Sequence, residues 1–243
     1  MTRAIHFGRL PSAASGFTLV EMAIAVMVIA LILGGMLVPL VTQVEQRQIS
    51  DTERQLQEIR EALMGFAVTK GYLPCPDTGS NGSENVTAGT GICTTVAGGI
   101  AAGRIPYLEL GLGNSDIWGN RFTYFVNELY ARRSPATPFS LSSAGTDVRI
   151  CSSQACTTVY SSAAVFAVIS HGKNGAGATN YYTNNTNTAS SSADEQENYD
   201  TDKDVVTRPF YSGGAAASQF DDVVVWLSKY TLFNRMVAAG KLP

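Results

Sequence analysis

An uncharged apolar run near the amino terminus constrains the fold of this chain more than any other feature. Residues 22–44 contain no Asp, Glu, Lys or Arg, and the run is longer than the roughly 20 residues that cross a bilayer as a helix. Arg3 and Arg9 precede it, and the first acidic residue is Glu21. Because basic residues stay on the cytoplasmic side, the sequence predicts a cytoplasmic amino terminus and a chain that continues outward.

A secretory signal peptide and a plain membrane anchor are two interpretations of this segment. The apolar region of a signal peptide spans about 7–15 residues, which is roughly half of this run. A plain anchor explains neither the Gly16–Phe17 junction nor Glu21, a carboxylate that is costly to bury in hydrocarbon. A third interpretation has to use the glycine, the glutamate and the apolar run together.

The stretch GFTLVE, residues 16–21, resembles the cleavage signal of type IV prepilins and type II secretion pseudopilins. The resemblance implies cleavage between Gly16 and Phe17 by a prepilin peptidase, and N-methylation of the new Phe17 amine by the same enzyme. Glu21 is then the fifth residue of the mature chain, where this family carries a glutamate. In a filament its carboxylate would pair with the Phe17 amine of a neighbouring subunit, among apolar helices that penalise an unpaired charge.

Apolar residues continue beyond the uncharged run at helical spacing. Steps of three and four separate Leu56, Ile59 and Leu63, and charged residues occupy most of the positions between them. This pattern predicts an amphipathic helix over residues 45–70 that ends before Gly71. Its apolar stripe either packs on a β-sheet of the same domain, which we favour, or forms a short coiled-coil seam.

Two glycines and a proline lie in the apolar half of this helix, at Gly34, Gly35 and Pro39. A proline removes one backbone hydrogen bond and crowds the preceding turn. The sequence therefore predicts a kink or local melting of the helix near these residues.

The remainder of the chain, residues 71–243, is long enough to form one domain with its own core. Strand-forming segments over 163–170 and 220–228 are not separated by regularly repeated helices, and residues 229–240 have the pattern of a final helix that Ser228 caps and Gly240 ends. This order predicts an α+β fold in which the long amino-terminal helix packs on a mostly antiparallel sheet. The segment DIWGNRFTYFV, residues 116–126, resembles a motif of the major pseudopilin, and this resemblance implies the same pilin-like architecture.

Residues 171–204 are poor in apolar side chains and rich in Asn, Ser, Thr and Gly, which predicts an exposed loop. The loop ends with Asp200, Asp202 and Asp204 at alternate positions, and carboxylate oxygens in this pattern suit Ca²⁺. The major pseudopilin has a calcium-stabilised loop in the matching region, so the resemblance implies calcium as the candidate cofactor. The full EF-hand pattern is absent, and a solvated acidic loop without a metal is the alternative.

Four cysteines form two local groups, Cys75 with Cys93 and Cys151 with Cys156. An even number of cysteines beyond a membrane segment favours disulfides in an oxidising compartment. Buried free thiols are the alternative, and the sequence leaves the connectivity open.

Charge and motif content argue against two other classes of function. The net charge is −3 and no large basic patch is visible, so nucleic acid is not expected as a partner. His171 is the only histidine outside the leader, and the spacing of a phosphate-binding loop is missing. With no catalytic constellation in the sequence, we expect a protein that is not an enzyme.

Together these features predict a structural subunit of a type IV pilus-like filament or of a type II secretion pseudopilus, held in the bacterial inner membrane with its outer domain in the periplasm or in the filament. The implied partners are prepilin peptidase, other pilin or pseudopilin subunits and an inner-membrane assembly platform. A minor tip pilin that acts as an adhesin or uptake module is the alternative. The predicted organisation is a removed leader (1–16), a transmembrane and filament-core helix (17–44), an amphipathic helix (45–70) and an outer domain (71–243) that contains the loop 171–204.

Overall fold

The computed structural model describes the backbone of residues 16–94 and 98–242, and the side chains of these residues outside 35–41. The chain divides into two compact units, Met1–Gln46 and Arg47–Pro243. The predicted leader therefore lies outside the described residues, apart from Gly16.

Five helices and six strands make up the described part of the chain. The helices are α1 (Leu19–Lys70), α2 (Tyr107–Leu110), α3 (Glu128–Ala131), α4 (Ala193–Glu197) and α5 (Lys229–Ala238), with a 3-10 turn at Ala216–Ser218. The strands are β1 (Ile100–Arg104), β2 (Thr123–Asn127), β3 (Val148–Cys151), β4 (Val159–Ser170), β5 (Asp204–Val206) and β6 (Val223–Ser228).

The six strands form one sheet around the long central strand β4. Strand β4 pairs antiparallel with β2, β3 and β6, and β2 pairs antiparallel with β1. Strand β5 runs parallel to β3, so that Ile150 lies opposite Val205. The sheet is therefore mostly antiparallel, and the predicted α+β class is confirmed.

The carboxyl-terminal part of α1 packs on this sheet through the predicted apolar stripe. Leu56, Ile59 and Leu63 are buried, and they share one core cluster with Tyr124 of β2 and Phe166 of β4. Their spacing of three and four residues places them on a single face of the helix. The stripe thus packs within its own domain, as favoured above, and not as a coiled-coil seam.

The predicted capping residues lie at the carboxyl end of α1 and at both ends of α5. Gly71 has a φ of 91°, and its N–H donates to the carbonyl oxygen of Ala67 to close α1. Ser228 caps α5 by accepting a hydrogen bond from the backbone N–H of Tyr230. Gly240, with a φ of 67°, follows the end of α5.

The predicted local melting of α1 near its proline is wrong, and the alternative, a kink, stays a prediction. The backbone stays helical through Gly34, Gly35 and Pro39, within a helix of 52 residues. A proline removes a single donor, while the hydrogen bonds of the neighbouring turns remain and helix propagation is cooperative.

The segment 171–204 is not exposed throughout, in contrast to the prediction. Glu195 of α4 is 1% exposed and Asn198 is 0% exposed. The Asn198 side chain donates to the carbonyl oxygen of Val206 and accepts from the Val206 N–H, which joins the segment to β5. Hydrogen bonds from polar side chains such as Asn198 attach the segment to the sheet. The amino-acid composition of the segment does not reveal such contacts.

Both cysteine groups form disulfides, Cys75–Cys93 and Cys151–Cys156, which decides between bridges and free thiols. Cys75 and Cys93 are buried within the main core cluster. The Cys151–Cys156 bridge spans the turn that joins β3 to β4.

We expect replacement of both Cys75 and Cys93 by alanine to lower the free energy of unfolding by about 3 kcal/mol. The bridge joins residues 18 apart, and closing a loop of that size restricts the unfolded chain by about this amount. Denaturant unfolding followed by tryptophan fluorescence measures the change.

The matched control replaces Cys151 and Cys156, which are 5 residues apart. Its smaller loop predicts a loss of about 2 kcal/mol. A larger loss for the control pair than for Cys75 and Cys93 would contradict the loop-size explanation.

Candidate functional site

The carboxylate of Glu21 closes the amino terminus of α1. Glu21 Oε2 accepts hydrogen bonds from the backbone N–H and the Oγ1 hydroxyl of Thr18, both at 2.9 Å. Thr18 Oγ1 in turn accepts from the backbone N–H of Glu21 at 3.2 Å, and the Thr18 carbonyl accepts from Met22. Thr18 and Glu21 therefore form a reciprocal capping box, which satisfies backbone donors that the first helical turn would leave free.

This local role adds to the filament role that the sequence predicts for Glu21. The T-x-x-E spacing of Thr18 and Glu21 is the signature of a capping box and would have been a sufficient signal. In the single chain the carboxylate is thus held by its own helix. The predicted pair with a neighbour's Phe17 amine stays a prediction.

Apolar side chains are exposed on all sides of the first part of α1. Val26, Met27, Val28 and Ile29 are consecutive and all exposed, and four consecutive residues go around a full helical turn. A soluble monomer rarely exposes a continuous apolar surface of this kind. Within residues 17–33, the exposed large apolar side chains are those of Phe17, Leu19, Val20, Met22, Ile24, Val26, Met27, Val28, Ile29, Leu31, Ile32 and Leu33.

Hydropathy gives a separate result for this region. Within the described part of the chain, no helix is both long enough and apolar enough to cross a membrane.

Gly16 and Phe17 precede α1 in non-helical backbone. A Cβ atom added to Gly16 would meet nothing within 4 Å, and Phe17 is 83% exposed. Both residues of the predicted cut are therefore exposed.

Comparison with known proteins identifies this segment. The family model described as the prokaryotic N-terminal methylation motif matches residues 11–37. The chain carries the type IV pilin and pseudopilin signal. This pilin-type signal implies processing by a prepilin peptidase, membrane-anchored assembly and packing with other pilin subunits.

The pilin-type signal covers only the amino-terminal part of the chain. No curated protein and no solved structure matches the chain. The resemblance of residues 116–126 to the major pseudopilin therefore stays a prediction.

In the structure, Asp116 organises the turn within residues 116–126. Its Oδ1 accepts from the backbone N–H groups of Trp118 and Asn120, and its Oδ2 accepts from the Ser170 hydroxyl at 2.7 Å. Burial raises the pKa of Asp116 above its ordinary value. These contacts fasten the turn to the end of β4, which is a structural role.

The structure brings together only part of the predicted calcium set. Both carboxylate oxygens of Asp204 accept hydrogen bonds from Arg149, so this side chain is already paired. Carboxylate oxygens of Glu197, Asp200 and Asp202 lie within 4.8 Å of one another, with both aspartates exposed. Burial and the neighbouring aspartates raise the pKa of Glu197 to about 7. Calcium binding in this loop stays a prediction.

Proposed function

We propose that the mature chain is a structural subunit of a type IV pilus-like filament or of a type II secretion pseudopilus. The observation that carries this proposal is the methylation motif over residues 11–37, which coincides with a helix that exposes apolar side chains on all sides. Helices that are apolar all round are covered by lipid or by other helices. The helix of such a subunit is covered by lipid in the membrane and by the helices of neighbouring subunits in the filament.

The proposed pathway begins in the inner membrane. Arg3 and Arg9 keep the amino terminus cytoplasmic, and the unit from Arg47 onward lies in the periplasm. Prepilin peptidase cuts after Gly16, which frees the Phe17 amine for methylation. An inner-membrane assembly platform then delivers the subunit to the filament.

In the filament, Glu21 and Phe17 supply opposite charges close to the helix start. Before assembly the Glu21 carboxylate is satisfied by Thr18 of its own chain. A carboxylate has about four acceptor sites, so the cap leaves room for the Phe17 amine of a neighbour. Pairing within packed helices would offset the desolvation of both charges and set the axial register of the subunits.

This function is mechanical rather than catalytic. The pilin-type signal is typical of structural subunits. We expect the work of the chain to be packing, extension and retraction of a filament, with the outer domain as its solvated surface.

A minor tip subunit that acts as an adhesin or uptake module is the second candidate function. The Asn-rich segment 171–204 presents Tyr182 with 81% of its surface exposed. Exposed aromatic side chains with polar neighbours are common at binding surfaces. Such a surface serves a tip position better than the repeated side wall of a filament.

The test is to express the full chain in a bacterium with a type IV pilus or type II secretion machine. Mass spectrometry of the purified product is expected to find N-methylated Phe17 as the first residue. The chain is also expected in sheared filaments, where a high copy number indicates a major subunit and a low one a tip subunit. A product that retains residues 1–16, or is missing from the filaments, would refute the proposal.

A further inference from the structure

Arg121 is a buried cation without a counter-charge. It lies two residues before β2, and 5% of its surface is exposed. Its Nη2 atom donates to the amide oxygen of Asn184 at 2.8 Å. Its Nε and Nη1 atoms are buried and have no hydrogen-bond partner, and no carboxylate of the described residues forms an ion pair with it. Since a buried charge is heavily penalised unless it is paired, this guanidinium calls for an anion.

Two tyrosine rings enclose the Arg121 guanidinium. Its Cζ atom lies 5.9 Å from the centre of the Tyr107 ring and 5.4 Å from the centre of the Tyr181 ring. A ring face attracts a cation, but it does not replace an oxygen acceptor for N–H groups that point outward in the guanidinium plane. The rings also exclude water, which strengthens an ion pair formed between them. The tyrosines therefore hold Arg121 in place and leave its open donors to an oxygen ligand.

A second guanidinium, that of Arg104, adds positive charge beside Arg121. Its Nη1 and Nη2 atoms donate to Thr179 Oγ1 and to the Thr78 carbonyl oxygen, and its Nε atom is buried without a partner. Burial lowers the pKa of Arg104; the Asp77 carboxylate opposes this shift, and the charge of Arg121 adds to it. Asp77 is the one negative group near this pair of cations that these interactions reveal, so one positive charge stays uncompensated.

An exposed aromatic and polar surface adjoins the buried guanidinium. The ring of Tyr182 is 5.3 Å from the ring of Tyr181, and Tyr182 is 81% exposed. The Asn180 side chain accepts from the backbone N–H of Tyr182 and fixes this turn. Asn184, which covers Arg121 Nη2, is itself exposed, so a ligand can reach this atom by displacing one surface side chain. The exposed polar neighbours are Thr183, Asn184, Asn185 and Thr186.

We propose that Arg121 binds the carboxylate of an acidic sugar, such as a uronate residue, whose ring packs on Tyr182. A carboxylate oxygen takes the place of the Asn184 amide oxygen on Nη2 and forms a stronger, charge-assisted hydrogen bond. One negative charge matches the one uncompensated positive charge of the site. A phosphate dianion matches it less well, because the chain as a whole already carries a net charge of −3.

The surface chemistry favours a sugar over a peptide carboxylate. Tyr182 offers a flat apolar face, and the side chains around it are hydroxyls and amides rather than long apolar groups. Ligand sites combine aromatic walls with a few polar groups that fix the orientation of the ligand. The hydroxyls of a sugar can hydrogen-bond with these amides and hydroxyls, whereas an apolar peptide side chain would find no pocket among them.

This proposal rests on the second candidate function, because a sugar-binding site serves a subunit at a filament tip. Its residues all lie in the unit Arg47–Pro243. Processing and filament assembly depend on the amino-terminal signal instead. A chain that is processed and assembles but binds no acidic sugar would therefore refute this site and leave the filament function standing.

Asn184→Asp tests the demand of Arg121 for a carboxylate without any ligand. Aspartate has the shape of asparagine and would place a negative charge on Nη2. We expect the unfolding midpoint of the full mature chain, purified in detergent, to rise by about 2–4 °C at pH 7. Asn185→Asp is the matched control, since it adds the same charge at the next exposed position. The fluorescence of Trp118 and Trp226 follows unfolding. A rise that is no larger than that of the control would contradict the proposal.

Calorimetric titration of the same preparation with a galacturonate trimer tests binding directly. We expect one site per chain. Asn184→Asp should lower the affinity at least about tenfold, because its own carboxylate occupies Arg121, and Arg121→Gln should do the same. Tyr182→Ala should lower it at least about threefold through loss of the packing face. Arg235→Gln is the control, since Arg235 is an exposed cation of α5, and it should bind as the wild type does.

Three comparison ligands identify the chemistry that is recognised. A neutral galactose trimer tests the need for the charge, acetate tests the need for the sugar, and inorganic phosphate tests the choice of anion. Each should bind at least about tenfold more weakly than the galacturonate trimer. No binding of the trimer, equal binding of any comparison ligand, or binding that survives in both Asn184→Asp and Arg121→Gln would overturn the proposal.

Discussion

Replacing Glu21 by glutamine is expected to exclude the chain from filaments while leaving its own helix intact. Glutamine can still accept from Thr18 and complete the capping box. It carries no charge, however, so the Phe17 amine of each neighbour would be buried without a counter-charge. Removing one partner of a buried ion pair costs about 3–5 kcal/mol, which corresponds to a loss of at least about a hundredfold in the affinity of a subunit for the filament.

The fraction of the chain recovered in sheared filaments, divided by the amount in the membrane, measures this effect. Membrane insertion and cleavage of the Glu21→Gln variant should match the wild type, because the apolar run and the junction are unchanged. Glu53→Gln is the matched control, since Glu53 is exposed on α1 beyond the motif. The control should assemble normally.

Thr18→Val separates the two roles of Glu21. The valine removes the hydroxyl that exchanges hydrogen bonds with Glu21 but leaves the carboxylate in place. We expect this variant to assemble, with a loss in helix stability of about 1 kcal/mol. Normal assembly of Glu21→Gln, together with failure of Thr18→Val, would show that capping rather than charge pairing is the function of this glutamate.

Replacing Gly16 by valine is expected to block processing completely. Glycine before the cut bond suits a narrow peptidase site, in which a branched side chain would clash. The chain itself should tolerate the change, because a Cβ atom at Gly16 meets nothing within 4 Å. The uncut precursor should accumulate in the membrane with residues 1–16 attached.

Gel mobility and mass spectrometry of the membrane fraction distinguish precursor from product. Gly34→Val is the control, since Gly34 also has no neighbour within 4 Å of an added Cβ atom but lies far from the junction. The control should be cut normally. Cleavage of Gly16→Val at the wild-type rate would place the processing site elsewhere.

Local patterns in the sequence predicted the regular elements of the outer domain well. The apolar stripe through Leu56 and Leu63 is buried on the sheet, and Ser228 and Gly240 mark the ends of α5. Apolar residues three or four positions apart predict the buried face of a helix, and single capping residues predict its ends. Each of these signals lies within one short stretch of the chain, so the sequence alone reveals them.

Strands β1 and β5 were not predicted, because their causes lie elsewhere in the chain. Strand β1 contains two alanines and Gly103, where a Cβ atom would come within 2.9 Å of the Asp77 carbonyl oxygen. Alanine and glycine are not residues that predict a strand, and a glycine in a strand often marks a place where another backbone approaches closely. Strand β5 has only three residues and depends on its parallel pairing with β3.

The amino-terminal signal could be recognised from the sequence alone. The junction at Gly16 and Phe17, Glu21 and the apolar run are contiguous, so residue order carries the whole motif, and the match over residues 11–37 confirms it. The tertiary structure decided which carboxylates meet. It paired Asp204 with Arg149 and placed Glu195 against Asp221, 26 residues further along the chain. Folding brings such residues together, and no local spacing encodes contacts of that length.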